Sequence, residues 1–195
     1  IYGEEIPSSA QFLIEKSLQN SFKELFETLD VGFEKINSFS TSRRVVLLVR
    51  KLAKVTPPKV NESRGPRVDA NENAINGFLK SNNIKDIKKL KKKEINEKLY
   101  FILIEKSNAR KVNEILEHKV PEILRSIKWS KSMRWGNNND RWIRPIKNIM
   151  CVFDKKVVKF EFAGLSSNSH TFGNYHYNEN KIKFTDFKTL KKELK

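Results

Sequence analysis

The stretch SSAQFLIEKSLQNSFKELFETLD, residues 8–30, carries the clearest structural pattern of the chain. Its apolar residues recur at steps of four and three, which is the spacing of one face of an α-helix. Ser8 and Gln11, which follow Pro7, fit a capping box at the start of this helix. The stretch therefore predicts a helix of about 20 residues that Gly32 ends. The side chains predicted on its buried face are Ile14, Leu18, Phe22, Leu25 and Leu29.

Short apolar runs around this helix have the length of β-strands. Residues 45–49 are apolar on both faces, which favours a central strand. Residues 99–104 predict another strand, and residues 149–153 and 157–162 flank a turn and predict a hairpin. With the helix, these runs predict an α+β fold, a mixed or antiparallel sheet with packed helices.

The remaining segments predict shorter helices and a loop. Residues 74–79 look like a short helix, and Asn108 is a candidate cap for a later helix that Pro121 interrupts. Residues 54–66 contain three prolines and a glycine, which predicts a loop. Thr185 is a candidate cap for a last helix near the end of the chain.

The formal net charge of +16 favours partners that are polyanions, because each neutralised phosphate releases counterions. Lysine outnumbers arginine by 29 to 10, and the chain holds 19 asparagines, so compositional bias could supply much of the lysine as solvated surface. The arginines are the more informative cations, because a planar guanidinium binds phosphate through two hydrogen bonds. No apolar run reaches the roughly 18 residues of a bilayer span. The start is acidic and Cys151 is the one cysteine, and both favour a cytoplasmic protein that does not enter a membrane.

Motifs for catalysis, nucleotides and metals are missing from the sequence. The seven glycines form no phosphate-cradling loop, so we expect no ATP site in this chain. His118, His170 and His176 do not fall at metal-ligand spacing, and Cys151 has no second cysteine beside it. The sequence therefore predicts neither catalytic residues nor a metal site.

Arginines and tryptophans remain as candidates for contact with RNA. Arginine can hold a phosphate, and tryptophan offers a flat face on which an unpaired base can stack, with about 1–3 kcal/mol per base. A structural role stays open for each residue, since arginine also pairs with carboxylates and tryptophan also packs in cores. The RNA-binding candidates are Arg43, Arg44, Arg64, Arg67, Arg134, Trp135, Arg141, Trp142 and Arg144.

Several short motifs follow one another along the chain. They are Glu4-Glu5-Ile6-Pro7, Ser42-Arg43-Arg44, Arg64-Gly65-Pro66, Ala74 with Gly77-Phe78, Met133-Arg134-Trp135-Gly136, Arg144-Pro145, Gly164-Leu165 and Thr171-Phe172-Gly173. In this order they resemble the N-terminal part of the β subunit of bacterial glycyl-tRNA synthetase, and Met133-Arg134-Trp135-Gly136 and Arg144-Pro145 are the most specific of them. The chain departs from the family at Gly173-Asn174-Tyr175-His176, where the family usually continues with Gly-His-Arg-Phe.

The resemblance implies a fold and a division of labour. Residues 1–180 would form a region similar to the B3/B4 fold of the phenylalanyl-tRNA synthetase β subunit, and residues 181–195 would begin a helical segment. The whole enzyme, a class II aminoacyl-tRNA synthetase, would join glycine to tRNA(Gly) with ATP, and a separate α subunit would bind ATP and glycine in an α2β2 heterotetramer. This chain would then be a non-catalytic piece that binds tRNA and helps assembly, with no cofactor of its own.

Two other functions are compatible with the sequence. The chain could be a scaffold between subunits that never touches RNA. It could also be an editing-type hydrolase, an idea that depends only on the likeness to B3/B4.

Overall fold

The computed structural model describes residues 1–84, 86–96, 98–173, 181–183 and 186–193. Its α-helices are α1 (Ser8–Thr28), α2 (Glu72–Ser81), α3 (Val112–Ser126) and α4 (Phe187–Glu193), and a 3-10 turn spans Ile87–Lys89. The strands are β1 (Tyr2–Gly3), β2 (Lys35–Ser40), β3 (Val45–Arg50), β4 (Lys59–Arg67), β5 (Lys91–Ile95), β6 (Lys98–Ser107), β7 (Ile146–Asn148), β8 (Val152–Phe153), β9 (Lys156–Val157), β10 (Glu161–Phe162), β11 (Leu165–Ser166), β12 (His170–Phe172) and β13 (Lys181–Lys183).

Helices and small antiparallel sheets together confirm the α+β prediction. The chain divides into two compact units. The main unit comprises Ile1–Thr56 and Arg110–Lys195, and the inserted unit comprises Pro57–Ala109. The sequence did not predict this division. The boundary near residue 180 and the likeness to B3/B4 stay predictions, because residues 174–180 lie outside the described part of the chain.

The core of the main unit lies where α1 and α3 pack with the strands. Ile14 and Phe26 of α1 are 0% and 1% exposed, which confirms an amphipathic helix that begins at Ser8. Phe26, not the predicted Leu25, continues the fully buried row after Phe22. The predicted Leu25 and Leu29 are half-buried and pack against the same core beside this row.

The start of α1 differs from the predicted capping box. Pro7 occupies the cap position, and no side chain caps the helix. The Pro7 carbonyl accepts a hydrogen bond from the Ala10 N–H at 2.9 Å, and the Gln11 amide donates to the Ile6 carbonyl at 3.1 Å. The capping box is therefore wrong, because Gln11 reaches the chain before Pro7 and Ser8 already lies within the helix.

In the main unit, the short strand β1 lies between β7 and the residues that lead into β3. Tyr2 of β1 pairs with Asn148 of β7 on one side and with Arg44, just before β3, on the other. β3 pairs along its length with β2, from Val45 opposite Ser40 to Arg50 opposite Lys35. The prediction of a central strand at 45–49 thus holds only at its beginning, where β1 covers its second edge.

The other sequence predictions meet mixed outcomes. The short helix near 74–79 is α2, and the hairpin is present as β8 and β9. Asn108 is not the cap of α3, since Lys111 holds that position, and α3 continues through the buried Pro121. Neighbours of Pro121 on the core face, including Val120 and Leu124, are buried and hold the helix together. Thr185 lies outside the described residues.

The inserted unit is a three-stranded antiparallel sheet in the order β4-β6-β5 with α2 packed beside it. β4 overturns the predicted loop at 54–66, because its pairing with β6 is decided by residues about 40 positions later. Its register shifts between Arg64 and Arg67, where Pro66 removes a donor. A Cβ at Gly65 would lie 2.8 Å from the Phe78 ring and 3.0 Å from the Phe101 carbonyl oxygen, so a larger residue there would force its neighbours to shift. None of the described helices has the length and apolarity that a bilayer crossing requires.

Candidate nucleic-acid interface

The nine predicted RNA-binding residues fall into three parts of the chain. Arg43 and Arg44 lie in the turn that leads into β3. Arg64 and Arg67 belong to β4 of the inserted unit. The other five lie between α3 and β7, in a segment that contains Arg134, Trp135, Arg141, Trp142 and Arg144.

Arg43 is held by two neighbouring carboxylates. Its Nη1 lies 3.6 Å from Glu4 Oε2 and its Nη2 lies 3.4 Å from Glu5 Oε1. Lys147 contacts Glu4 from another side at 2.9 Å, and this hydrogen bond lowers the pKa of the Glu4 carboxyl. The guanidinium of Arg43 is therefore largely neutralised where a phosphate would have to bind.

Arg44 points inward and ties β3 to β12. It donates from Nη1 to Thr171 Oγ1 at 3.0 Å and from Nη2 to the Phe172 carbonyl at 2.6 Å. Its guanidinium also lies 5.2 Å from the ring centre of Tyr2. Burial lowers the pKa of Arg44. Because its donors serve these partners, Arg44 acts as a structural cross-link between segments 127 residues apart.

Arg144 lies beside Arg43 at the surface. The two arginines line one open depression together with Glu4, Glu5, Ile6, Pro7 and Ser42. Arg144 is exposed, and within the described part of the chain it has no carboxylate partner. The depression therefore presents one neutralised and one available guanidinium, and it brings together two of the nine predicted residues.

The segment from Ser132 to Trp142 is closed into a loop by an antiparallel bridge. Met133 and Trp142 exchange both backbone hydrogen bonds, at 2.8 and 3.2 Å. Inside the loop, Asn138 donates to the Trp135 carbonyl at 2.7 Å. Arg141 donates from Nε to Ser132 Oγ and from Nη2 to the Ser132 carbonyl, both at 3.0 Å. These two hydrogen bonds from Arg141 hold the two ends of the loop together.

Arg134 is the exposed cation that this loop presents. Its side chain is exposed, and among the described residues no hydrogen bond or ion pair engages it. The loop positions it directly after the bridging residue Met133, so its backbone is fixed while its guanidinium remains available. Arg134 is therefore suited to bind an anion.

The two tryptophans of this segment are parts of the core. Trp142 is 1% exposed, and its ring meets Trp129 at 4.8 Å and Phe162 at 5.7 Å between centroids, both edge to face. No face of the Trp142 ring is left for a base, which opposes the stacking role that the sequence suggested. Trp135 is half-buried against the same core.

A salt bridge that the sequence did not single out fixes the position of this loop. Arg125 of α3 donates from Nε to Asp140 Oδ1 at 2.7 Å, and Asp140 Oδ2 accepts the Ala163 N–H at 2.7 Å. Burial raises the pKa of the Asp140 carboxyl, but the hydrogen bonds from Arg125 and Ala163 outweigh it, so that this pKa is lowered overall. No local sequence signal marks a pair separated by 15 residues in different elements.

The arginines of the inserted unit lie on β4. The Arg64 guanidinium lies 3.8 Å from the centre of the Tyr100 ring, a close cation–π contact. Arg67 pairs with Asp69 at 2.5 Å. Both side chains are exposed, and Arg64 leaves its N–H edge open while its face rests on the ring.

The geometry gives little support for a metal site or for a catalytic cysteine. Among the described residues, no group of three His, Cys, Asp or Glu side chains could hold a metal ion. Burial raises the pKa of the Cys151 thiol to about 12, which makes it a poor nucleophile. Burial and the nearby Lys181 and Lys183 lower the pKa of His170. His176 and the family departure at Asn174-Tyr175 lie outside the described residues.

Comparisons with known proteins agree over the whole chain. The family model described as glycyl-tRNA synthetase beta subunit matches residues 1–195. A glycine–tRNA ligase beta subunit of Rickettsia bellii (strain OSU 85-389) is 40% identical over 194 residues, and one of Rickettsia felis is 38% identical over 196. One of Rickettsia canadensis is 37% identical over 194 residues. Each match covers 100% of this chain, which spans 29% of the length of each relative.

Proposed function

The chain belongs to the glycyl-tRNA synthetase beta subunit family, and we propose that it is a non-catalytic part of a glycine–tRNA ligase that contacts tRNA and supports assembly. The relatives that it matches are named as beta subunits of that ligase. Because the chain spans less than a third of their length, its own task is argued from its surface.

The observation that carries the proposal is a pair of exposed arginines, Arg134 and Arg144, close to the backbone bridge between Met133 and Trp142. Arg134 lies just inside the bridge between Met133 and Trp142, Arg144 lies two residues beyond it, and neither has a carboxylate partner within the described part of the chain. An unpaired guanidinium on a fixed backbone binds phosphate without first breaking an internal ion pair. The net charge of +16 adds a long-range attraction for a polyanion.

The candidate residues divide into contacts and supports under this proposal. Arg134 and Arg144 contact phosphates, and Arg64 and Arg67 add cationic surface from the inserted unit. Three arginines have a structural role through the partners described above: Arg43, Arg44 and Arg141. The side chains of Trp135 and Trp142 belong to the core of the main unit. Base stacking on Trp142 has no place in this division, because its ring is buried.

The partners follow from the family. A separate α subunit would bind ATP and glycine, this chain would help to bind tRNA(Gly), and the two subunits would work in the cytoplasm as an α2β2 assembly. We assign the reaction of ATP, glycine and tRNA to glycyl-tRNA, AMP and diphosphate to the α subunit, because the sequence of this chain has no phosphate-cradling glycine motif.

A double charge reversal in the complete ligase tests the proposal. We expect Arg134→Glu with Arg144→Glu to raise the KM for tRNA about tenfold or more, since two charge-assisted contacts are lost, and to leave the KM for ATP unchanged. The control is Lys16→Glu with Lys23→Glu on the exposed face of α1, which changes the net charge equally. A KM for tRNA that rises as much in the control, or in neither variant, contradicts a specific contact.

A scaffold without RNA contact is the second candidate. It is favoured by the mixed charge of the depression, where Glu4 and Glu5 neutralise Arg43 and would repel phosphate. Titrating the β subunit with tRNA at rising salt separates the two functions. Several phosphate contacts make log K fall steeply with log salt, with a slope of about −0.7 to −0.9 per contact. No binding at low salt would favour the scaffold.

A further inference from the structure

The sheet of the inserted unit has one face that α2 does not cover. Three buried side chains pack with α2 on the covered face, those of Leu90, Phe101 and Leu103. Successive side chains of a strand point to opposite faces, so Tyr100 and Ile102 of β6 lie on the other face. Among the described residues of this unit α2 is the one α-helix, and we refer to the face that carries Tyr100 and Ile102 as the open face.

The strand register places cations on both sides of the central strand of the open face. Residues directly opposite one another in neighbouring strands share a face, and Ile102 lies between Arg64 of β4 and Lys91 of β5. Tyr100 lies opposite Lys93. Ile102 is 3% exposed, as expected where the long stems of flanking cations lie over an apolar strand residue. The open face therefore has an apolar centre and cationic margins.

Positive charge exceeds negative charge on the open face. Its exposed cations are Arg64, Arg67, Lys91, Lys93 and Lys98. Among the described strand residues one carboxylate shares the face, that of Glu62, and it lies 2.6 Å from Lys93 Nζ. Arg67 is paired with Asp69. The other three cations have no carboxylate partner within the described part of the chain, so the open face attracts anions.

The Arg64 guanidinium and the Tyr100 ring form a stacked pair at the centre of this face. Arg64 Cζ lies 3.8 Å from the ring centre, and the Arg64 side chain is exposed, so the side of the guanidinium turned away from the ring is accessible. Guanidinium planes and aromatic rings are the surfaces on which proteins stack unpaired RNA bases. Two unpartnered lysines lie on either side of the pair along β6, with Lys98 before Tyr100 and Lys91 opposite Ile102 after it.

We propose that the open face binds unpaired nucleotides of RNA, with a base stacked on the Arg64–Tyr100 pair and neighbouring phosphates held by Lys91 and Lys98. The inference rests on the proposed function, because the RNA is the tRNA of the complete ligase. Paired bases do not fit this site, since in a duplex they already stack on one another. An acidic peptide would neutralise the lysines but carries no base for the stacked pair, whereas RNA supplies both groups in one chain.

Substitution of the ring in the complete β subunit tests the stacking. We expect Tyr100→Leu to weaken tRNA binding, measured by fluorescence anisotropy, by about fivefold or more, since a base loses its stacking surface. The slope of log K against log salt should stay unchanged, because no phosphate contact is lost. Tyr100→Phe keeps the ring and should bind within about twofold of the unsubstituted protein. The control is Leu99→Ala, on the other face of β6, where the side chain is 50% exposed. Equal weakening by the control, or none by Tyr100→Leu, would overturn the proposal.

Removal of the lysine charges tests the phosphate contacts. Lys91→Gln with Lys98→Gln should reduce the steepness of log K against log salt by about 1.4, which is about 0.7 for each of two contacts to a single strand. The matched control removes the same charge from the covered side, through Lys80→Gln in α2 and Lys92→Gln opposite Phe101. Equal changes of slope in the two variants would indicate a general effect of charge and contradict the proposed contacts.

Competition in the same assay identifies the occupant. A short single-stranded oligouridylate should displace tRNA less effectively from Tyr100→Leu than from the unsubstituted protein, whereas an RNA duplex and polyglutamate should act equally on both. Equal loss for all three competitors contradicts the assignment to unpaired nucleotides. Absence of tRNA binding by the unsubstituted β subunit at low salt overturns the proposed function and this inference together. Intact tRNA binding that none of these substitutions weakens overturns this inference alone.

Discussion

The main unit and the inserted unit bury their apolar residues in different ways. In the main unit, both long helices and most strands contribute to one core, which includes Trp142 and Phe26 at 1% exposure. The inserted unit has a small cluster of Leu90, Phe101 and Leu103, and no residue of its helix α2 is fully buried. Because stabilisation follows buried apolar area, the comparison indicates a stable framework and a more easily opened insertion.

The largest effect should come from the centre of the main unit. Trp142→Ala removes a fully buried ring that contacts Trp129 and Phe162, and should cost about 3–5 kcal/mol in the free energy of unfolding. Urea denaturation followed by circular dichroism measures it. The matched control is Phe12→Ala in α1, where a ring that is 72% exposed should cost less than about 0.5 kcal/mol. Similar costs would mean that the core is not centred on Trp142.

The corresponding change in the inserted unit should act locally. Phe101→Ala removes a side chain that is 6% exposed from a three-residue cluster, with an expected cost of about 2–4 kcal/mol. Hydrogen exchange should quicken in β4, β5 and β6 and stay unchanged in α1. Leu99→Ala is the control on the same strand, since Leu99 is 50% exposed. Equally faster exchange in α1 would show that the two units open together.

The Arg125–Asp140 salt bridge makes a smaller, pH-dependent contribution to the main unit. The lowered pKa of Asp140 means that its contribution is present above the ordinary value of 3.8 and is lost as the pH falls through the folded pKa. Asp140→Asn should cost about 1 kcal/mol at pH 7 and flatten the loss of stability between pH 5 and pH 2. Unfolding midpoints measured across that range check it. A variant whose acid profile parallels that of the natural protein would contradict this assignment.

The smallest effect should come from the exposed surface of the inserted unit. Arg64→Leu removes the guanidinium that lies 3.8 Å from the Tyr100 ring and should cost about 0.5–1 kcal/mol, since an exposed cation–π contact is weak. Local hydrogen exchange at β4 and β6 measures the change. In a Tyr100→Leu background the same substitution should have almost no effect, and an undiminished effect there would exclude the ring contact as its cause.

The arginines show where sequence patterns stop being informative. Arg44 and Arg134 look alike in the sequence, since each directly precedes a large apolar residue, Val45 or Trp135. In the fold, the guanidinium of Arg44 donates hydrogen bonds to Thr171 and Phe172 of β12, whereas the side chain of Arg134 is exposed. Trp142 likewise looked like a surface aromatic between two arginines and is a core residue. Local sequence reveals residue type and period, but a partner 127 residues away is decided by tertiary pairing.

The sequence alone determined α1, with its apolar period of 3.6 residues, the α+β class and the family, because periodicity and ordered motifs are local properties that do not depend on packing. Tertiary structure alone decided the inserted unit, the continuation of α3 through Pro121 and the division between engaged and available arginines. The physical reason is that strand pairing, burial and ion pairing join residues far apart in the chain, and their free energies override local propensity once the core forms.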